Sequence, residues 1–97
     1  MKLSIIIPCF NEEKTIEVII NKVSVFNEYE KEIIVVDDCS IDNSREIIKK
    51  VSKQNPEINY FFLDKNLGKG GALQKGFLEA TGDIILIQDA DLEYDPN

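Results

Sequence analysis

Four apolar runs alternate along the chain with three stretches of helical periodicity. The runs are Leu3–Ile7, Glu32–Val36, Asn59–Leu63 and Asp83–Gln88, closed by Pro8, by Asp37 and Asp38, by Asp64 and by Asp89 respectively. The second and fourth are continuous Ile/Val/Leu stretches, the pattern of strands buried on both faces of a parallel sheet. Between the runs, apolar residues recur at helical spacing: Ile16, Ile19, Ile20, Val23 and Phe26; then Ile47, Ile48 and Val51; then Ala72, Leu73, Gly76, Phe77 and Ala80. Asn11 is placed to cap the first helix, with Glu12 and Glu13 at its positive end. Asn43 and Glu46 have capping-box spacing for the second, with Asp42 as the other candidate cap, and Pro56 ends that segment. The third helix runs from about Gly70 to Ala80, and Gly82 is placed to terminate it. The order β-α-β-α-β-α-β predicts an α/β fold, a parallel sheet of about four strands with flanking helices and right-handed crossovers.

Composition narrows the partners. The 97 residues make one small domain, and the net charge of −7 argues against a nucleic-acid binder, which shows a basic face. An acidic chain still binds a nucleotide when a divalent cation bridges the two. The two cysteines, Cys9 and Cys39, lack C-x-x-C spacing, and with no histidine the chain has too few zinc ligands. No apolar stretch approaches the roughly 18 residues of a membrane span, and Leu3–Ile7 is too short for a signal-peptide core. The cysteines therefore read as small buried residues in a reducing, cytoplasmic setting.

The unusual residues fall where ligands bind in open α/β sheets, at the carboxyl ends of the strands. Pro8-Cys9-Phe10-Asn11-Glu12-Glu13 follows the first run, Asp37-Asp38-Cys39-Ser40 the second, and Asp89-Ala90-Asp91 the fourth. Asp89 and Asp91 are either a solvated turn or the ligands of a hard cation, Mg²⁺ or Mn²⁺, which takes one or two carboxylates plus substrate phosphates. Such a cation stabilises a departing diphosphate. One of Asp37 and Asp38 either accepts hydrogen bonds from a nucleobase or ribose, or shapes the turn with Ser40. Asn66-Leu67-Gly68-Lys69-Gly70-Gly71 matches neither a P-loop nor a dinucleotide fingerprint. It is either a plain connector or a mobile loop whose Lys69 reaches a phosphate. Phe10 either packs beside a base or staples the first helix to the core.

Taken together, LSIIIPCFNEE (Leu3–Glu13), IIVVDDCSIDN (Ile33–Asn43), NLGKGGALQKG (Asn66–Gly76) and TGDIILIQDADLEYDP (Thr81–Pro96) resemble the family 2 glycosyltransferases with the Rossmann-like GT-A fold. The last two segments are most similar to the polyprenyl-phosphate branch, typified by dolichol-phosphate mannosyltransferase. The resemblance implies that Pro8, Phe10 and Glu12 frame the base and ribose of a GDP- or UDP-linked sugar. It implies that Asp38 contacts the base, with Val36 and Asp37 beside it, and that Lys69 lies near the base or phosphates. Asp89, followed by Ala90, is implied to meet the ribose or metal, and Asp91 to ligate the metal. Cys39 stands where the family often has glycine. The implied reaction is an inverting transfer to an acceptor, a polyprenyl phosphate or another glycan.

Family members continue past the point matching Asn97 with an acceptor half. The chain is therefore expected to be an N-terminal fragment, residues 1–97, that holds the donor site, assigns no catalytic base, and comes from a parent at the cytoplasmic face of a membrane. A strand order of 3-2-1-4 would leave the fourth strand at an edge, with homodimerisation through 84–88 as the expectation. Three other functions compete. A haloacid-dehalogenase-type phosphatase also carries D-x-D after an apolar strand, but after the first. A phospho-acceptor receiver domain carries its acidic pair there too. A module that only binds nucleotide or self-associates is the third.

Overall fold

The computed structural model describes residues 1–26 and 28–90. Its elements are β1 (Lys2–Cys9), α1 (Ile16–Ser24), β2 (Glu30–Asp37), α2 (Ser44–Lys53), β3 (Ile58–Phe62), α3 (Gly68–Glu79) and β4 (Ile84–Ile87). All strand pairs are parallel and the sheet order is β3-β2-β1-β4, as the sequence predicts. Among the described residues no helix is long and apolar enough to cross a membrane.

Side-chain alternation sorts the helices onto the two faces of the sheet. Ile5, Ile7, Ile33 and Val35 point to one face, where Ile16, Ile19 and Ile20 of α1 and Ile48 and Val51 of α2 cover them. Ile6, Ile34 and Val36 point to the other, where Ala72 of α3 is buried with them. The chain steps from β1 through β3 in one direction along the sheet, then back across to β4. Crossovers of one hand must place α3 on the face opposite α1 and α2 when that direction reverses. The reversal lies between β1 and β4 and makes the switch point where such sheets open a crevice.

Burial follows position in the sheet. The central strands β1 and β2 are buried on both faces for most of their length, and each fully buried isoleucine there contributes about 1.5–3 kcal/mol. β4 departs from the expectation of two covered faces. Its four residues are 40–48% exposed, because among the described residues it is an edge strand paired only with β1.

Three local expectations are corrected. Asn11 does not cap α1: its φ is 53°, α1 begins at Ile16, and its side-chain Oδ1 accepts the Ile41 N–H at 2.9 Å. Asn43 holds the N-cap position of α2 but makes no side-chain cap bond; the preceding Asp42 supplies one, its Oδ1 accepting the Ser44 N–H at 2.9 Å. Gly82 does not terminate α3, which ends at Glu79 with Ala80 already extended. Gly82 is where the chain passes over β1, since a Cβ there would lie 2.6 Å from Ser4 Oγ. Gly76 meets the same constraint inside α3, where a Cβ would lie 2.6 Å from Ile6 Cγ2. Phe26 and Phe77 belong to the predicted apolar faces yet stay 40% and 47% exposed, beyond the reach of the two cores.

Candidate functional site

The switch point opens into a cleft of about 340 Å³, within the ~300–1,000 Å³ common for small-molecule sites. Pro8, Cys9, Phe10 and Glu12 line it from the end of β1, Asp38 from the end of β2, and Asp89 and Ala90 from the end of β4. Asn66, Gly68, Lys69 and Ala72 close it from the β3–α3 connection and α3.

Each wall is held by polar contacts. Phe10 is 45% exposed and faces the cleft, so it does not staple α1 to the core. The turn after it is locked to the α2 N-terminus. Glu12 N–H donates to Ser44 Oγ at 2.9 Å, Glu13 N–H to Asp42 Oδ2 at 3.2 Å, and Asn43 N–H to Glu13 Oε1 at 2.9 Å. Burial alone would raise the Asp42 pKa, but the hydrogen bonds from Ser44 and Glu13 outweigh it and hold the carboxyl below its ordinary value. Thr15 Oγ1 donates to the Ala90 carbonyl at 2.6 Å and ties the segment after β4 to the foot of α1.

The two adjacent aspartates at the end of β2 turn opposite ways. Asp38 faces the cleft, and its Oδ1 and Oδ2 accept the N–H groups of Leu67 and Gly68 at 2.7 and 2.8 Å. It caps α3 from another loop and draws the positive end of that helix to the cleft. A carboxylate has about four acceptor sites, so each oxygen keeps capacity for a further donor. Asp37 is fully buried and lines nothing; it accepts Arg45 Nε at 2.7 Å and the Ser40 N–H at 2.8 Å. Val36 is fully buried in the core on the α3 side. The structure thus brings Pro8, Phe10, Glu12, Asp38, Lys69, Asp89 and Ala90 together and leaves Val36 and Asp37 beneath the surface. Asp91, the implied metal ligand, lies outside the described residues.

Lys69 is not in a loop. It occupies the first turn of α3, and its Nζ lies 2.6 Å from Asp89 Oδ1 across the cleft. Among the described residues, three carboxylates, of Glu12, Asp38 and Asp89, and one ammonium, of Lys69, line the site. Among the described residues no three His, Cys, Asp or Glu side chains converge as a cage for a metal. Asp89 offers oxygen ligands and is about half exposed. That donor set fits Mg²⁺ or Mn²⁺ held by one or two carboxylates with the remaining positions left to substrate phosphates and water. Cys9 is not a nucleophile here, because burial pushes its thiol up to about 12, against smaller lowering contributions from Ser44 and Glu12.

Arg45 escaped the sequence reading. A surface arginine in the first turn of a helix carries no signal by itself, and its partners lie 8 and 18 residues away.

Fold and site together define an α/β domain with a charged, ligand-sized cleft at a topological switch point. The phosphatase and receiver alternatives need their acidic motif after the first strand, whereas here β1 ends at Cys9 and Phe10-Asn11 follow it. The chain belongs to glycosyl transferase family 2, whose model matches residues 4–97. It is 37% identical over its whole length to a glycosyltransferase of Nostoc sp., of which it covers 30%. S. aureus TarS 1–349, solved in complex with UDP-GlcNAc, superposes with a TM-score of 0.83 at 33% identity, over 94% of this chain and 27% of that one. The mannosyltransferase PcManGT from Pyrobaculum calidifontis, solved with GDP-Man and Mn²⁺, gives a TM-score of 0.84 at 28% identity, over 92% and 27%. The chain therefore spans 27–30% of the length of these relatives.

Proposed function

We propose that this chain is the donor-binding part of a glycosyltransferase that takes a nucleoside-diphosphate sugar together with Mg²⁺ or Mn²⁺. The observation that carries the reading is convergence. Residues from four separate segments, at the ends of three strands and the start of α3, meet in one cleft at the switch point. The ligands bound in the two solved neighbours, UDP-GlcNAc in one and GDP-Man with Mn²⁺ in the other, support the same class of ligand.

In this reading Phe10 flanks the base, and Asp38 accepts a hydrogen bond from the base or ribose while still capping α3. The N-terminus of α3 and Lys69 receive the diphosphate, as helix N-termini suit anions. Asp89, with Asp91, would hold the cation. When bound, that cation would offset the charge developing on the departing nucleoside diphosphate. The acceptor oxygen attacks the anomeric carbon as the bond to the diphosphate breaks, so the transfer inverts configuration. The acceptor is read as a polyprenyl phosphate, on the Asn66–Gly76 and Thr81–Pro96 segments, in preference to a glycan. A lipid phosphate is already anionic at neutral pH and needs little help from a general base. The parent protein would work at the cytoplasmic face of a membrane.

Calorimetric titration of GDP and of UDP, each with and without Mn²⁺, tests the donor reading. Metal-dependent binding to the chain that is lost in Asp89→Ala and in Asp91→Ala is the expected result. Metal-independent binding, or binding that survives both substitutions, refutes it. Sugar transfer to a polyprenyl phosphate by the full-length parent, set against a glycan acceptor, tests the acceptor.

A further inference from the structure

Besides Asp89 and Ala90 after β4, the cleft is walled by three connections: Phe10 to Glu12 after β1, Asp38 after β2, and Asn66 to Lys69 after β3. No regular ladder joins these connections, yet they must keep a common register for one ligand to touch all three. The contacts that join them meet beneath the cleft, at a group that does not line it.

Arg45, in the first turn of α2, reaches down between the ends of β2 and β3. Its Nε donates to the buried Asp37 Oδ2 at 2.7 Å, and a terminal nitrogen of the same guanidinium donates to the Leu63 carbonyl. The plane lies over the Phe62 ring, 4.8 Å from its centroid. Leu63 N–H in turn donates to the Asp37 carbonyl at 2.9 Å, so the β3 terminus is tied to Asp37 through both its N–H and its carbonyl. Three residues further along, Asn66 opens the segment that carries Lys69.

Asp37 passes the constraint to the first wall. Its Oδ1 accepts the Ser40 hydroxyl, and Ser40 Oγ accepts the Asn11 N–H at 2.8 Å. That bond fixes the left-handed turn at Asn11, between Phe10 and Glu12. Asp38, the neighbour of Asp37, holds the α3 N-terminus by its two oxygens. One half-buried ion pair is therefore linked, directly or through one neighbour, to the three connections after β1, β2 and β3, and neither partner is among the lining residues.

We propose that Arg45 is the positioning residue of this cleft: by bridging the Asp37 carboxylate to the Leu63 carbonyl, it sets the spacing between the Phe10, Asp38 and Lys69 walls. The inference rests on the cleft being the nucleotide site. The planar fork of arginine reaches both acceptors from two separate nitrogens, whereas lysine has a single nitrogen and no fixed fork to span them. Removing the cation leaves Asp37 buried without its charge partner, which loosens the ends of β2 and β3 before it disturbs the β1–β2 ladder.

Two readouts on Arg45→Met, Arg45→Lys and the core variant Val51→Ala decide the matter. The first is amide hydrogen exchange at Asn11, Leu67 and Gly68 relative to amides in the β1–β2 ladder. The second is the affinity for GDP or UDP with Mn²⁺. Arg45→Met should speed exchange at those three amides about tenfold or more over the ladder and weaken nucleotide binding about tenfold or more. Arg45→Lys should lie between it and the wild type. Val51→Ala should raise exchange evenly and leave affinity within about twofold. Even exchange with unchanged affinity in the arginine variants overturns the proposal. If Arg45→Met does not fold, Arg45→Lys carries the same comparison. If the wild type binds neither nucleotide, the donor reading fails, and the exchange pattern still decides whether Arg45 sets the walls.

Discussion

Cys39 holds a backbone conformation that its side chain disfavours. Its φ is 66°, in the left-handed region where a Cβ crowds the following carbonyl at a cost of ~1–2 kcal/mol. The turn nevertheless forms, because it is fixed on both sides by Asp38 N–H donating to the Cys9 carbonyl and by Ser40 N–H donating to Asp37. The Cys39 thiol donates to the Asp64 carbonyl at 3.6 Å, but a thiol is a weak donor and the bond does not repay the strain. Cys39→Gly should therefore stabilise the fold by about 0.5–1 kcal/mol after the entropic cost of glycine, a rise of roughly 2–8 °C in the thermal midpoint. Calorimetric melting of the two proteins checks this, and a lower midpoint for the glycine variant would show that the thiol contact outweighs the backbone strain. The same position shows what sequence conveys at this scale. The family resemblance flagged residue 39 as a glycine position, and the positive φ supplies the physical reason. No local signal marked Asn11 as a second left-handed residue, because its partners, Ser40 and Ile41, lie about thirty residues away.

Among the elements, the amino ends of the strands are joined as firmly as the carboxyl ends are open. Glu32, near the start of β2, accepts the Ser4 hydroxyl at 2.6 Å and the Thr81 N–H at 2.7 Å, tying β1 and β2 to the turn that leads into β4. Burial alone would raise its pKa, but hydrogen bonds from Ser4 and Thr81 and the charge of Lys2 outweigh that and hold it below the ordinary 4.5. A carboxyl lowered on folding stabilises the native state above its unfolded pKa, and that contribution is lost as pH falls through the folded value. Wild type should be more stable than Glu32→Gln near neutral pH. The gap should narrow as pH drops from about 6 to about 3. Urea denaturation across that range tests it; parallel curves would mean that the ionised form of Glu32 contributes nothing specific. The strands themselves were legible because β1, β2 and β3 are apolar runs bounded by proline or aspartate. The exposure of β4 was legible only through strand order, since Ile84-Ile85-Leu86-Ile87 reads locally like a fully buried strand. α3 starts two residues before the position its periodicity predicts, because Gly68, a poor helix former, is held in the first turn by Asp38, thirty residues earlier.

At the scale of the whole molecule, charge decides how a nucleotide can be taken up. The chain carries −7, and among the described residues three carboxylates face one ammonium in the cleft, with that ammonium already paired to Asp89. A diphosphate approaching this surface without a cation meets net repulsion, both from the cleft and from the surrounding acidic surface. Added salt shortens the screening length to about 10 Å at 0.1 M and weakens that repulsion. With a chelator present, affinity for GDP or UDP should therefore be low and should strengthen between about 20 and about 200 mM NaCl. A bound divalent cation reverses the local sign, since it is the largest charge in the site. With Mn²⁺ saturating, affinity should be higher and should weaken over the same range of salt. Calorimetric affinities at the two salt concentrations, with Mn²⁺ and with chelator, give two slopes of opposite sign if the cation is what makes an acidic cleft a diphosphate site. Slopes of the same sign in both conditions would place the work of charge compensation on Lys69 and the α3 N-terminus instead. Lys69→Gln would then abolish binding with and without metal, whereas in the cation-led case it should weaken the metal-loaded complex and leave its salt dependence negative.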